Sequence, residues 1–451
     1  MINVALVLSL RGLPLMAIEG FSMFFYLLFA SLLFLIPVSL VSAELATGWP
    51  EEGGVYRWVK EAFGTKWGFV AIWIQWVQNT IWYSTVLAFA SGALAYLFLD
   101  PELANNSIYT VVLILAIYWT STFVNFKGVK LASKLTTYLV ILGTILPATL
   151  IIFFGFIWVF IGEPIQILQT NTSFLPTFSS FTDISFLAGT ILLFAGMEVA
   201  AVHVNEIDDP KKNYPKAIFL AMVVILIIFT LGSFSIAVCL SPDQISLTAG
   251  IMQAFHILLA DLNLSCLSPV IGFFVALGAI GGVVAWIGGP SKGLLVTAKH
   301  GMLPPFLQYV NDNGVQTHIL WVQGAIVTIL SLVFLLMPNV SGAFFLLTAL
   351  TVVLYLFMYL LLYAAVIRLR YTRPDQHREY KIPGGNFGMW LVAGVGFLAA
   401  LFALFVGFFP PAQLETGSPT FYVLFIVIGV VVFIGAPLLL NKFKKPEWKK
   451  D

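Results

Sequence analysis

The sequence predicts an all-α membrane protein with about twelve transmembrane helices. Of its 451 residues, 60% are hydrophobic and only 10% are charged, and the mean hydropathy is +0.98. Soluble domains carry about 25% charged residues, so a soluble protein is excluded. Apolar stretches of the roughly 20 residues needed to cross a bilayer recur along the whole chain. No polar region is large enough for a separate soluble domain, and we expect residues 1–451 to form one membrane domain.

The apolar stretches define twelve expected spans. They cover residues 2–20, 21–47, 67–98, 108–126, 131–162, 184–204, 215–240, 266–298, 317–337, 341–367, 387–409 and 419–441. The first stretch does not have the pattern of a cleaved signal peptide, because Arg11 and Pro14 interrupt it and no small-residue cleavage site follows. We therefore expect it to remain as the first span.

Basic residues fall in or beside every second connection between these spans. The chain has 22 lysines and arginines, and all except Arg11 lie near connections 2–3, 4–5, 6–7, 8–9 and 10–11 or after the twelfth span. The other connections hold acids, such as Asp100 and Asp243, but no basic residue. Short basic loops remain in the cytoplasm. We predict a multi-pass protein of the cell inner (plasma) membrane with both termini in the cytoplasm.

Two spans carry helix-breaking residues together with a charge. The segments are SLRGLPLMAIEG (9–20) in the first span, with Arg11, and LLFAGMEVAAVHVNE (192–206) in the sixth, with Glu198. The breaks are at Gly12, Pro14 and Gly196. Secondary transporters bind substrate where paired helices are interrupted near the bilayer midplane. An ordinary kinked helix is the alternative for either segment alone, since Gly and Pro are frequent in membrane helices.

The breaks lie five spans apart, which suggests an inverted repeat. We expect residues 1–162 to form a first repeat, residues 184–370 a second, and residues 387–441 two additional helices. The halves share no residue-level identity, so this division rests on the positions of the breaks.

Arg11 and Glu198 are the two charges expected at bilayer depth, where a charge costs at least about 2.5 kcal/mol and indicates a functional site. We expect either that each of them binds substrate or that the two form an ion pair with each other. For Glu198 a further alternative is a carboxylate that only holds helices together.

Four sequence blocks in a fixed order point to a family. They are LVSAELATGWPEEGGVYRWVKEAFG (40–64), FAGMEVAAVHVNEIDDPKKNYPKA (194–217), AWIGGPSKGLLVTAKHGMLP (285–304), and ALTVVLYLFMYLLLY (349–363) followed by YKIPGG (380–385). Together they resemble the amino acid–polyamine–organocation superfamily, and within it the glutamate/γ-aminobutyrate antiporter family. The resemblance covers nearly the whole chain. It implies a five-plus-five inverted repeat with discontinuous first and sixth helices, and exchange of one amino acid for another or for its decarboxylation product.

The resemblance implies that substrate lies at the two breaks. Free amide N–H groups at residues 11–16 suit a substrate carboxylate, and free carbonyls at residues 194–197 suit its ammonium. The candidate substrate-binding residues are Arg11, Gly12, Pro14, Phe194, Ala195, Gly196, Glu198, Trp286, Tyr355 and Tyr359. Further candidates on the third span are Gln75, Gln78, Asn79 and Tyr83.

Tyr355 and Tyr359 match two tyrosines with which the family lines the cytoplasmic side of the substrate path. They lie four residues apart on one helix face, and anchoring at the membrane interface is the alternative. Glu206 matches an acidic residue near the inner mouth. It is either a gate or proton sensor, or a loop carboxylate paired with Lys211 or Lys212.

The sequence departs from the family at two site positions and at both ends. Arg11 stands where the acid-resistance antiporters have tyrosine, and its fixed charge suits a substrate carboxylate or Glu198. Gly282 stands where they have glutamate, so an acidic amino acid/γ-aminobutyrate-type exchange is only one of the exchanges left open. We also expect a shortened first span and no plug-type gating by a C-terminal tail.

A Na⁺- or H⁺-coupled amino-acid symporter of the same fold is the nearest alternative, with Ser291 as a weak candidate ligand for Na⁺. A channel and a membrane enzyme are alternatives of other classes. The sequence has no paired Asp dyad, HExxH helix or His/Cys cluster with metal-ligand spacing. We therefore expect no enzyme activity, no catalytic residues, no metal and no cofactor. The expected partners are small amino-acid substrates and the lipid bilayer, without nucleic acid, and the oligomeric state is left open.

Overall fold

Helices make up the regular structure of the chain in the computed structural model. The structure describes residues 7–51, 53–170, 173–176, 189–191, 193–199, 209–410 and 418–449. Within these residues ten helices are long and apolar enough to cross a membrane. They are Gly20–Gly48, Thr65–Leu97, Ser107–Phe126, Val129–Ile161, Pro210–Cys239, Ser268–Lys299, Thr317–Leu336, Val340–Thr372, Gly385–Val406 and Pro419–Lys442. They correspond to predicted spans 2–5 and 7–12, and the all-α membrane fold is confirmed.

The first and sixth spans are discontinuous, as predicted. In the first span, residues 8–11 are not helical and precede a six-residue helix, Gly12–Ala17. In the described part of the sixth span, a short helical stretch at residues 189–191 is followed by turns over residues 193–198. Neither segment therefore appears among the ten long helices.

The second and fifth spans each contain one wide π-helical turn, which the sequence analysis did not predict. The turns cover Ser31–Leu35 and Ile141–Ile145. A proline follows each, at Pro37 and Pro147. Proline lacks an amide N–H, and its ring crowds the carbonyl four residues earlier. The wider turn accommodates the ring without ending the helix.

In the described residues three short α-helices lie between the spans, and none of them was predicted. They are Val55–Phe63, Gln166–Thr170 and Gly250–Asp261. The longest of the three, in the connection between the seventh and eighth spans, has only 12 residues. This is too few to cross a bilayer, so the span count is unaffected.

The third and tenth spans form the centre of the bundle. They have the highest buried fraction of the ten long helices, and the third packs against both the eighth and the tenth. The fifth span also packs against the eighth, most closely at Gly143 and Gly278. A Cβ atom at Gly143 would lie 2.0 Å from the Gly278 nitrogen. Small residues allow this backbone approach between membrane helices.

One side of the bundle, here called the basic face, brings the basic connections together. The Asn311 side-chain amide donates to the carbonyl of Phe126 at 2.8 Å, which joins connections 8–9 and 4–5. The Tyr56 hydroxyl lies 3.0 Å from His300 Nδ1 and joins connections 2–3 and 8–9. His300 also forms an isolated antiparallel bridge with Lys449 in the C-terminal segment.

A buried ion cluster fastens connection 10–11 to the basic face. Glu44, fully buried near the end of the second span, accepts hydrogen bonds from Arg370 Nε and Nη2, each at 2.5 Å. The backbone N–H of Ile382 donates to the same carboxylate at 2.9 Å. Arg378 Nε lies 3.5 Å from it. Two cations therefore share one buried carboxylate.

Candidate substrate-binding site

The break in the first span forms a tight turn. The Gly12 N–H donates to the Ser9 carbonyl and the Leu13 N–H to the Leu10 carbonyl, each at 3.1 Å, while Pro14 has no N–H. At least three of the six amide positions (residues 11–16) expected to be free are therefore hydrogen-bonded or lack an N–H group.

The break in the sixth span depends on Gly196. Its φ angle is +112°, in a region where a Cβ atom causes strain. The turn is held from the tenth span, because the Gly196 N–H donates to the Tyr359 hydroxyl at 2.8 Å. The Gly196 carbonyl accepts from the Val199 N–H at 3.1 Å.

Glu198 connects three helices through its carboxylate. The Tyr355 hydroxyl donates to Oε1 at 2.5 Å, and the Tyr359 hydroxyl donates to Oε2 at 2.7 Å. Gln75 of the third span donates to Oε1 at 3.0 Å. Glu198 is fully buried, so its position agrees with the alternative in which it holds helices together.

Arg11 is a buried cation with one described hydrogen bond. Its side chain is 9% exposed, and Nη1 donates to the Thr85 hydroxyl at 2.8 Å. The guanidinium carbon lies 5.5 Å from the Trp82 ring centroid and 5.8 Å from that of Phe344. Among the described residues no carboxylate pairs with Arg11, and the suggested pair with Glu198 is not formed. Among the described residues, this bond to Thr85 uses one of the five guanidinium N–H groups.

A cavity of about 40 Å³ lies between the two breaks and the third and eighth spans. This volume holds about three water molecules at roughly 10–15 Å³ each. The lining residues are Val7, Ser9, Arg11, Gly12, Gln78, Asn79, Trp82, Leu193, Ala195, Phe229, Trp286 and Tyr355. The cavity wall therefore combines polar side chains, such as Arg11 and Asn79, with the aromatic rings of Trp82 and Trp286.

The predicted site residues divide into a cavity wall and a supporting layer. Those in the wall are Arg11, Gly12, Gln78, Asn79, Ala195, Trp286 and Tyr355. Those outside the wall are Pro14, Gln75, Tyr83, Phe194, Gly196, Glu198 and Tyr359. Glu206 lies outside the described residues. The support includes the Phe194 ring, which packs edge-on against Phe229 at 5.5 Å between centroids.

Several wall residues were missed. Trp82 continues the helix face of Gln75, Gln78 and Asn79, at spacings of seven, four and three residues, so periodicity could have identified it. Phe229 gave no such signal. It lies in a uniformly apolar seventh span and is brought to the cavity by packing near Gly12.

The structure also describes Gly282, which stands where the acid-resistance antiporters have glutamate, and Ser291, the candidate Na⁺ ligand. Gly282 lines a second cavity of about 20 Å³, whose polar side chains are Ser9 and Thr144. Ser291, the weak Na⁺ candidate, donates to the carbonyls of Ile287 and Gly288. It also accepts a hydrogen bond from Gln316 at 2.7 Å. The Ser291 hydroxyl is therefore already hydrogen-bonded, both to carbonyls of its own helix and to Gln316 in connection 8–9.

Comparisons with known proteins agree with this architecture. The sequence pattern of the amino acid permease family matches residues 1–433. An uncharacterized transporter of Legionella pneumophila is 41% identical over 98% of this chain and 95% of its own length. A glutamate/gamma-aminobutyrate antiporter of Lactococcus lactis is 34% identical over 97% of this chain and 88% of its own.

A solved structure shares the fold. The crystal structure of MhsT in complex with L-phenylalanine superimposes with a TM-score of 0.61 over 90% of this chain and 96% of its own, at 16% sequence identity. The long helices, the two broken spans and the family match lead to one conclusion: the chain belongs to the amino acid permease family of membrane transporters.

Proposed function

We propose that this transporter is an amino-acid antiporter in which Arg11 binds a substrate carboxylate. The observation that carries the proposal is the guanidinium of Arg11, which is 9% exposed and has one described hydrogen bond. A buried charge without a counter-charge is costly. A carboxylate in the adjacent cavity supplies the counter-charge and accepts two parallel N–H bonds from the planar guanidinium.

Exchange is the proposed mode of transport because relatives at 33–34% identity are named glutamate/gamma-aminobutyrate antiporters. An acidic amino acid/γ-aminobutyrate-type exchange fits Arg11, since both molecules carry a carboxylate. The aromatic wall of Trp82 and Trp286 suits the aliphatic part of such a substrate.

Glu198 is proposed as a positioning residue. Its carboxylate engages Tyr355, which lines the cavity, and Tyr359, which holds the Gly196 turn. The network thereby keeps the sixth span opposite Arg11. A substrate ammonium has the carbonyls of the sixth-span turn as acceptors, in line with its unwound backbone.

Alternating access follows from the proposed repeat. Residues 1–162 and 184–370 are the two repeats, with residues 387–441 as two additional helices, and substrate is held where the two broken spans meet. We propose that the basic face is the cytoplasmic face of the cell inner membrane, with both termini there, because short basic loops stay inside.

Counterflow in proteoliposomes tests the function. Liposomes loaded with unlabelled L-glutamate, γ-aminobutyrate, L-arginine or agmatine are assayed for uptake of labelled L-glutamate and, separately, labelled γ-aminobutyrate. Exchange predicts uptake only when a carboxylate-bearing amino acid is inside, with no requirement for Na⁺, and agmatine is the control without a carboxylate. Uptake into empty liposomes that depends strictly on a Na⁺ or proton gradient would instead establish a symporter.

A further inference from the structure

The cavity beside Gly282 adjoins the cavity beside Arg11. Ser9, in the first-span break, and Trp82, on the third span, line both cavities. On the eighth span, Gly282 lines one cavity and Trp286 lines the other. Four residues separate these two, which is about 6 Å along a helix. The two cavities therefore share part of their wall and lie about one helical turn apart.

The Arg11 cavity alone is too small for an amino acid with a long side chain. Its volume of about 40 Å³ holds about three water molecules at roughly 10–15 Å³ each. A carboxylate and the neighbouring ammonium fill that space, so a side chain must extend beyond it. The Gly282 cavity adds about 20 Å³. A third cavity, of about 400 Å³ between the fifth and eighth spans, has none of its described lining residues in common with the Arg11 cavity.

Gly282 keeps its cavity open without taking part in the packing between helices. Gly278, one turn earlier, lies so close to the fifth span that a Cβ atom there would be 2.6 Å from the Thr144 hydroxyl oxygen. A Cβ atom at Gly282 would meet no described atom within 4 Å. A side chain at Gly282 would therefore occupy cavity space and leave the helix contacts intact.

Two hydroxyl groups supply the polar part of the Gly282 cavity. Thr144 is 4% exposed and lies in the π-helical turn of the fifth span, and Ser9 is partly buried. Among the described residues neither hydroxyl has a hydrogen-bond partner. A buried hydroxyl without a partner is costly, and each can donate to or accept from a bound molecule. The rest of the described wall is uncharged and mostly apolar, formed by Leu8, Leu10, Trp82, Val86, Phe89, Gly143, Val275, Gly278, Ala279 and Gly282.

We propose that the cavity beside Gly282 is the side-chain subsite of the transporter, and that Gly282 sets the length of the side chain it accepts. With the substrate α-carboxylate at Arg11, the side chain passes between Ser9 and Trp82. Its polar end then hydrogen-bonds to the hydroxyls of Ser9 and Thr144. This inference rests on the proposed binding of a substrate carboxylate by Arg11, and it adds which amino acids are preferred.

The test is competition in counterflow with Gly282→Ala. Proteoliposomes loaded with L-glutamate take up labelled L-glutamate, and unlabelled L-glutamate or L-aspartate competes from outside. L-Aspartate is shorter by one methylene, about the size of the added methyl group. We expect the ratio of half-inhibitory concentrations, L-aspartate over L-glutamate, to fall about fourfold in Gly282→Ala, as for one buried methylene of about 0.8 kcal/mol. L-Asparagine and L-glutamine should show the same shift, because the end group is constant within each pair.

Two further variants complete the experiment. Gly435→Ala is the matched control, because a Cβ atom at this twelfth-span glycine also meets nothing within 4 Å and the residue lies outside both cavities. Its ratio should stay within twofold of wild type. Thr144→Val removes the hydroxyl with little change in shape. It should raise the half-inhibitory concentrations of L-glutamate and L-glutamine about fivefold, as for one hydrogen bond of about 1 kcal/mol.

Three results overturn the proposal. They are an unchanged ratio in Gly282→Ala, an equal loss of affinity for the longer and the shorter amino acid, and a shift in Gly435→Ala as large as that in Gly282→Ala. If Gly282→Ala does not insert, Thr144→Val decides, and half-inhibitory concentrations equal to those of wild type refute the subsite. Absence of exchange by the wild type is a different result, which removes the proposed function itself. Wild-type exchange with an unchanged Gly282→Ala ratio removes the subsite alone.

Discussion

Three tyrosines on one face of the tenth span should contribute very unequally to stability. Tyr355 makes one hydrogen bond to the Glu198 carboxylate. Tyr359 makes one to the same carboxylate and also accepts from the Gly196 N–H. The Tyr363 hydroxyl is buried and has no hydrogen-bond partner in the described part of the chain. Conversion to phenylalanine removes each hydroxyl with little change in volume.

The expected costs follow from these contacts. Hydrogen bonds to charged groups contribute about 1.5–3 kcal/mol, and side-chain bonds within membranes average nearer to about 0.6 kcal/mol. We therefore expect Tyr355→Phe to destabilise by about 1–2 kcal/mol. Tyr359→Phe also leaves the Gly196 N–H unpaired, which adds about 1–3 kcal/mol. Tyr363→Phe should be neutral or stabilising, because no bond is lost with its buried hydroxyl.

Reversible unfolding in mixed micelles, followed by circular dichroism, measures these differences. A cycle with Glu198→Gln should give coupling energies of about 1 kcal/mol for Tyr355 and Tyr359 and none for Tyr363. The reasoning is refuted if Tyr355→Phe costs as much as Tyr359→Phe, or if Tyr363→Phe is as damaging as either.

Three further predictions concern the sixth-span turn and the basic face. Gly196→Ala should abolish counterflow through about 1–3 kcal/mol of backbone strain at φ +112°. Gly189→Ala should retain it, because the new Cβ atom would lie 3.8 Å from Leu15 Cδ2, an ordinary van der Waals distance. Glu44→Gln should destabilise by about 3–5 kcal/mol in the same unfolding assay, because Arg370 and Arg378 lose a shared buried carboxylate; a loss below about 1 kcal/mol contradicts the cluster's importance. Partial burial and the charges of Lys60, Arg57 and Lys449 lower the pKa of His300 below 6.5. The unfolded chain then binds more protons, so wild-type stability should fall as pH drops below about 6.5, and thermal melts of His300→Gln should lack that component.

Much of the fold followed from the sequence because its signals are local. Hydropathy located the ten long helices, and Gly196 indicated the sixth-span break because its backbone conformation excludes a side chain. The spacing of Tyr355 and Tyr359 predicts that both lie on one helix face, and both donate hydrogen bonds to Glu198, a contact that was not predicted.

Other features depend on distant parts of the chain. The helices before Pro37 and Pro147 contain a π-helical turn. The presence of a proline in the sequence does not specify whether the helix kinks or forms such a turn. Arg11 and Glu198 were candidates for one ion pair. In the structure Arg11 instead donates to Thr85 and lies against the rings of Trp82 and Phe344. Glu198 accepts hydrogen bonds from Tyr355, Tyr359 and Gln75. The identity of those neighbours is set by how the third and tenth spans pack, which sequence spacing does not encode.

Binding of the substrate identified by counterflow to purified Arg11 variants tests the central claim most directly. Arg11→Gln keeps a polar side chain without the charge, and Arg11→Lys keeps the charge without the planar fork. Two lost charge-assisted hydrogen bonds of about 1.5 kcal/mol each correspond to about 100-fold weaker binding. Calorimetric titration should therefore give a Kd about 100-fold higher for Arg11→Gln and about tenfold higher for Arg11→Lys. A folded Arg11→Gln protein with a Kd within twofold of wild type would contradict carboxylate recognition by Arg11.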